Sequence, residues 1–132
     1  HLSNAKKVLE FLASNDAVAW VKHPDLPEHR DHEVAKRQLP KGTTSMIVFG
    51  VKGGFDAGRK LINSVKLASH VSNVGDAKTL LVHPASTTHM QLGPEQRKIA
   101  GVPDDLIRLS VGIEHVDDII DDLRASLRAS QR

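Results

Sequence analysis

Arg108 is the residue whose setting most invites chemistry. It lies in the alternating run Ile107 to Val111, where Ile107, Leu109 and Val111 share one side and Arg108 and Ser110 the other. A guanidinium on a strand has two readings. It stands on an open polar face, as charged side chains mostly do, or it offers its planar fork to a carboxylate through two parallel hydrogen bonds. The pattern alone leaves both open. The stretch Ser72-Asn73-Val74-Gly75-Asp76 is a second candidate, a polar loop ahead of a strand. Such a loop is a plain turn or a set of donors facing a ligand.

Other constellations carry less. Of the eight histidines, His23, His29 and His32 gather and His83 and His89 form a pair. None shows the i, i+4 spacing with glutamate of a zinc protease, and thiolates are missing, so solvated or capping histidines are expected and no metal site. Gly53-Gly54 with Gly58 resembles part of a phosphate-binding loop, but Arg59-Lys60 follow where Lys-Ser/Thr belongs. A strand-to-helix turn is the better reading, because glycine serves where φ is positive. Serine, histidine and aspartate are present without a G-x-S-x-G elbow.

Composition bounds the function. The 132 residues fit one domain, and 39% apolar content is globular. A net charge of +2 and 3% aromatic residues leave no nucleic-acid footprint. No apolar run approaches the roughly 20 residues that cross a bilayer. Without cysteine there is no disulfide, thiolate site or cysteine nucleophile, and a reducing cytoplasm is compatible. The chain opens on His1 within a helical pattern, not on a leader, so a piece of something longer is expected.

Strands and helices must position these residues. Ala5, Val8, Leu9 and Leu12 recur at helical spacing, with Ser3 or Asn4 as the expected N-cap. A strand is expected over 17–21, a short helix over 32–38, and a strand covered on both faces over 45–51. A long helix follows over 55–67, a strand over 78–82, and a short helix from Pro94 to Gly101. After the strand of Arg108, Val116, Ile119, Ile120, Leu123 and Leu127 form the stripe of a last helix. Its acids Asp117 and Asp118 and its bases Arg124 and Arg128 suit the helix dipole. The expected fold is α/β, a two-layer sandwich with a sheet of about four strands and helices packed on it. Strand order is not legible.

The string Leu106 to Leu123, LIRLSVGIEHVDDIIDDL, resembles the C-terminal signature of the Cys/Met-metabolism pyridoxal-phosphate enzymes. Further matches run in order: Leu2-Ser3-Asn4-Ala5 with Val8 and Phe11-Leu12; Leu26-Pro27, His29, His32 and Ala35-Lys36-Arg37-Gln38; Met46 to Gly54; and Val82 to His89. The longer loop LASHVSNVGDAKTLLVHPASTTH resembles the O-acetylhomoserine sulfhydrylase branch. Methionine γ-lyases and cystathionine synthases or lyases of the same family are the alternatives. A free-standing α/β binding or oligomerisation module is the non-enzyme alternative.

The resemblance implies a two-domain, fold type I enzyme. Residues 1–132 would be its small C-terminal domain, with the cofactor-binding domain and its Schiff-base lysine upstream. This chain alone would then bind no pyridoxal phosphate and catalyse nothing. By the same resemblance Arg108 matches the arginine that grips the substrate α-carboxylate, and Ser72, with Asn73 beside it, matches a loop serine of that site. The complete enzyme would be a cytoplasmic homo-oligomer, a tetramer, acting on a small amino acid in methionine biosynthesis. It would exchange the acetate of O-acetylhomoserine for sulfide or methanethiol. A surface that meets the missing domain should be apolar, and the first helix with Phe11 is its expected carrier.

Overall fold

A computed structural model describes residues 1–132. In chain order the elements are α1 (Leu2–Ala13), β1 (Val18–Lys22), α2 (His32–Gln38), β2 (Met46–Val51), α3 (Gly54–Ser64), β3 (Leu80–Val82), α4 (Pro94–Ile99), β4 (Leu106–Ser110) and α5 (Val116–Ser130). A 3-10 turn, Pro84–Ser86, follows β3. The four strands form one sheet in the order β1-β2-β4-β3, and every neighbouring pair is antiparallel. The fold is the expected α/β sandwich.

Side-chain alternation gives the sheet two unlike faces. Ile47 and Phe49 of β2, Leu81 of β3, and Ile107 and Leu109 of β4 are fully buried on one face. They meet Val8 and Leu12 of α1, Leu61 of α3, and Ile119, Leu123 and Leu127 of α5 in a single core. Helices α1 and α3 pack on β2, and α5 touches both. Burying each such side chain contributes about 1.5–3 kcal/mol before chain entropy is counted. Met46, Val48, Arg108 and Ser110 turn to the opposite face and stay half-exposed. Strand β2 is therefore covered on one face, not on both as its apolar run predicts. The run is apolar throughout, so periodicity could not separate its two sides.

Several boundaries move for physical reasons. Helix α1 is capped at His1, not at Ser3 or Asn4. The Asn4 amide instead donates to the carbonyls of Gly112 (3.1 Å) and Glu114 (2.7 Å), fastening α1 to the segment after β4. Helix α3 stops at Ser64, short of Leu67. The Asp122 carboxylate of α5 accepts the backbone N–H groups of Lys66, Leu67 and Ala68 at 2.8–2.9 Å, an alternative to a further helical turn. The β2–α3 turn is made by Gly53 (φ 102°) and Gly54 (φ 67°), a backbone conformation other residues rarely adopt. On α1, where an apolar face is expected, Leu2 is exposed and Phe11 is half-buried: it packs against the core, and the Arg124 guanidinium lies over its ring at 5.3 Å.

Candidate functional site

Arg108 stands at the middle of β4, on the face away from the core. Its cross-strand partners are Val48 of β2 and Val82 of β3. Neither can answer a guanidinium. Its Nη2 donates to Ser72 Oγ at 2.7 Å, the one hydrogen bond of this side chain. None of the six ion pairs of the chain includes Arg108. A half-buried cation with most of its donors unused is suited to a planar carboxylate.

Arg97 shows the contrast. It is 7% exposed, donates from Nε (3.1 Å) and Nη2 (2.9 Å) to Asp104, donates from Nη1 to the Leu92 carbonyl, and lies over the Phe55 ring. Its charge is satisfied inside the chain and serves to hold α4 to the loop before β4.

Ser72 is carried by the loop between α3 and β3, and the structure brings it to Arg108. Asn73 is not brought there. Its side chain accepts the Val74 N–H (2.9 Å) and donates to Asp76 (3.3 Å), so it shapes its own turn. Asp76 in turn accepts the Lys78 N–H (2.9 Å). That bond, and then the one from Asn73, hold the Asp76 carboxyl below its ordinary value.

Below the loop lies a group that sequence reasoning missed. Thr79 is fully buried; its N–H and hydroxyl donate to the two oxygens of Glu114 at 2.8 and 2.7 Å, and its hydroxyl accepts the Gly112 N–H at 2.9 Å. Burial works against the Glu114 charge, but the two bonds from Thr79, with the Glu114 backbone N–H and the charge of Lys78, together outweigh it, and the carboxyl sits below its ordinary value. No spacing in the sequence signals this pairing, since its partners lie 35 residues apart.

Most histidines bond the backbone, while His89 meets the Thr88 hydroxyl. His23 is buried, bonds the Thr44 carbonyl through Nε2 (3.0 Å) and accepts the Asp25 N–H through Nδ1 (3.1 Å). His32 bonds the Pro24 carbonyl and His29 accepts the Asp31 N–H. His83, fully buried, lies between the Asp104 carbonyl (2.6 Å) and Ser86 Oγ (2.9 Å). Burial pushes its pKa down, against the pull of that carbonyl.

A two-layer α/β domain with an unpaired cation on its open face is the class defined so far. The chain belongs to the Cys/Met metabolism PLP-dependent enzyme family, whose model matches residues 1–128. It is 48% identical over 98% of its length to a homocysteine synthase of Schizosaccharomyces pombe, and 43% identical over 96% to O-acetyl-L-homoserine sulfhydrylase 1 of Thermus thermophilus. It is also 49% identical over 96% to an L-methionine gamma-lyase of Fusobacterium nucleatum subsp. polymorphum. The match covers 30%, 30% and 32% of those proteins, so the chain spans about three tenths of their length.

The family's cofactor sets a test for these residues. Every lysine of the chain is exposed. An amine condenses with an aldehyde when burial or a neighbouring cation lowers its pKa, and none of these lysines has an enclosed setting. The residues present include no enclosed amine for the aldehyde of pyridoxal phosphate.

Proposed function

We propose that this chain is the substrate-holding C-terminal domain of a longer pyridoxal-phosphate enzyme, an O-acetylhomoserine sulfhydrylase. The observation that carries the reading is the unpaired Arg108 guanidinium, braced by Ser72 on the open sheet face. An amino-acid substrate brings an α-carboxylate, whose two oxygens match two parallel guanidinium donors. Ser72 occupies Nη2 from one side and so fixes the plane of the fork. Asn73 belongs to the turn that presents Ser72.

The cofactor, held by the remainder of the enzyme, supplies the electron sink for chemistry at the substrate's α-carbon. The residues here clamp the carboxylate next to the α-carbon and so orient the bond that reacts. Acetate is then replaced by sulfide or methanethiol, giving homocysteine or methionine. The enzyme is assigned to the cytoplasm as a homo-oligomer, a tetramer. No helix of the chain is long and apolar enough to cross a membrane.

Methionine γ-lyase is the second reading, favoured by the 49% identity to such a protein. Steady-state assays of the complete enzyme separate the two. Turnover of O-acetylhomoserine with sulfide, with little release of methanethiol from methionine alone, is the expected result. The reverse preference would replace the sulfhydrylase with the lyase.

A further inference from the structure

We propose that Glu114 is a positioning residue for the carboxylate site, setting Ser72 against Arg108 through Thr79; this rests on the reading of Arg108 given above. The loop of Ser72 is exposed from His70 to Gly75. From His70 to Asp76, its one hydrogen bond to a distant part of the chain is that of Ser72 with Arg108. The place of Ser72 is therefore decided at the base of the loop.

That base is closed on Thr79. The Ser69 N–H donates to the Thr79 carbonyl (3.0 Å), and the Leu81 N–H to the Ser69 carbonyl (2.9 Å). Thr79 is then gripped by Glu114, which takes both its N–H and its hydroxyl. Glu114 follows β4 by four residues, and β4 carries Arg108. The Ile113 N–H to Ala77 carbonyl bond (2.9 Å) and the Gly112 N–H to Thr79 hydroxyl bond (2.9 Å) repeat the link. Asn4 fastens the same segment from behind by holding the carbonyls of Gly112 and Glu114.

One carboxylate thus ties the strand of the guanidinium to the loop of the hydroxyl. A carboxylate is the group this demands, because both Thr79 groups arrive as donors and both oxygens must accept. Glutamine offers one acceptor and a surplus donor. The consequence is selectivity: a well-placed Arg108–Ser72 pair prefers a carboxylate over a neutral amide of the same shape.

The test uses the complete enzyme and two substrates, O-acetylhomoserine and its α-carboxamide, with cofactor absorbance as a control for assembly. Wild type should prefer the acid, and Arg108→Ala should abolish the preference. Glu114→Gln and Thr79→Val should each lower the acid-to-amide ratio of kcat/KM about tenfold, through KM of the acid. Thr79→Ser, which keeps the hydroxyl, should keep the ratio. Should Glu114→Gln not accumulate, the near-isosteric Thr79→Val carries the same reading. An unchanged ratio in both variants, with Arg108→Ala still abolishing the preference, overturns the role of Glu114 and leaves that of Arg108. A parallel loss on acid and amide shows a merely structural role and also overturns it. A preference that survives Arg108→Ala removes the underlying reading and this proposal with it.

Discussion

His83 and Glu114 titrate against the fold in two separate windows. Folding lowers the His83 pKa from an ordinary 6.5, so the folded chain holds a neutral ring. Above that value both folded and unfolded forms are neutral and pH has no hold. Below it the unfolded chain takes up a proton that the folded chain resists, and stability falls. Glu114 is held below its ordinary 4.5, so its contribution is present above that value and is lost as pH drops through the folded pKa. Urea titrations of the chain should show a first loss of stability beginning near pH 6.5 and a second beginning near pH 4.5. His83→Gln should remove the first and leave the second. A first loss that persists in this variant would contradict the assignment to His83.

At the scale of elements, β4 joins core and site. Its inward Leu109 is fully buried and its neighbour Arg108 faces out. Leu109→Ala should cost about 2–5 kcal/mol, read as a fall in the unfolding midpoint. Gly112, just after β4, is tight for another reason: a Cβ there would run into the backbone N of Thr79 and the backbone oxygen of Ala77. Backbone cannot swing aside as a side chain can. Gly112→Ala should therefore destabilise by about 1–3 kcal/mol, and should also raise KM for the acid substrate by disturbing the Thr79 anchor. A wild-type melting curve for this variant would show that the approach is looser than described.

The elements that the sequence reveals are those with a local signal. The stripe of α5 and the alternation of β4 follow from side-chain period, so the outward face of Arg108 is legible from residues alone. Features set by distant partners are not. The end of α3 depends on Asp122, more than 50 residues on, and the N-terminus of α1 depends on where Asn4 finds carbonyls. The antiparallel order β1-β2-β4-β3 has no signal of its own, because the connections suit either direction. Pattern marks the loop from Ser72 to Asp76, family resemblance singles out Ser72 within it, and Thr79 and Glu114 are marked by neither.

On the scale of the whole molecule, the core is complete but the surface is not uniformly polar. Val74 is 96% exposed and Ile99 86%, with Met90 and Ile113 also outside. On α1, where the apolar face is expected, Leu2 is also exposed. The chain closes its own sheet and helices, and every lysine stays at its surface. Purified alone and supplied with pyridoxal phosphate, it should give no turnover of O-acetylhomoserine with sulfide. Steady product formation by this chain would move the catalytic machinery into these residues.

The central claim is that Arg108 grips the substrate carboxylate, and kinetics of two substitutions in the complete enzyme test it. A charge-assisted hydrogen bond contributes ~1.5–3 kcal/mol, so Arg108→Ala should lower kcat/KM roughly 10- to 150-fold. Arg108→Lys should recover only part of this, because an ammonium restores the charge without the two-pronged fork. Equal kcat/KM in wild type, Arg108→Ala and Arg108→Lys would contradict the account.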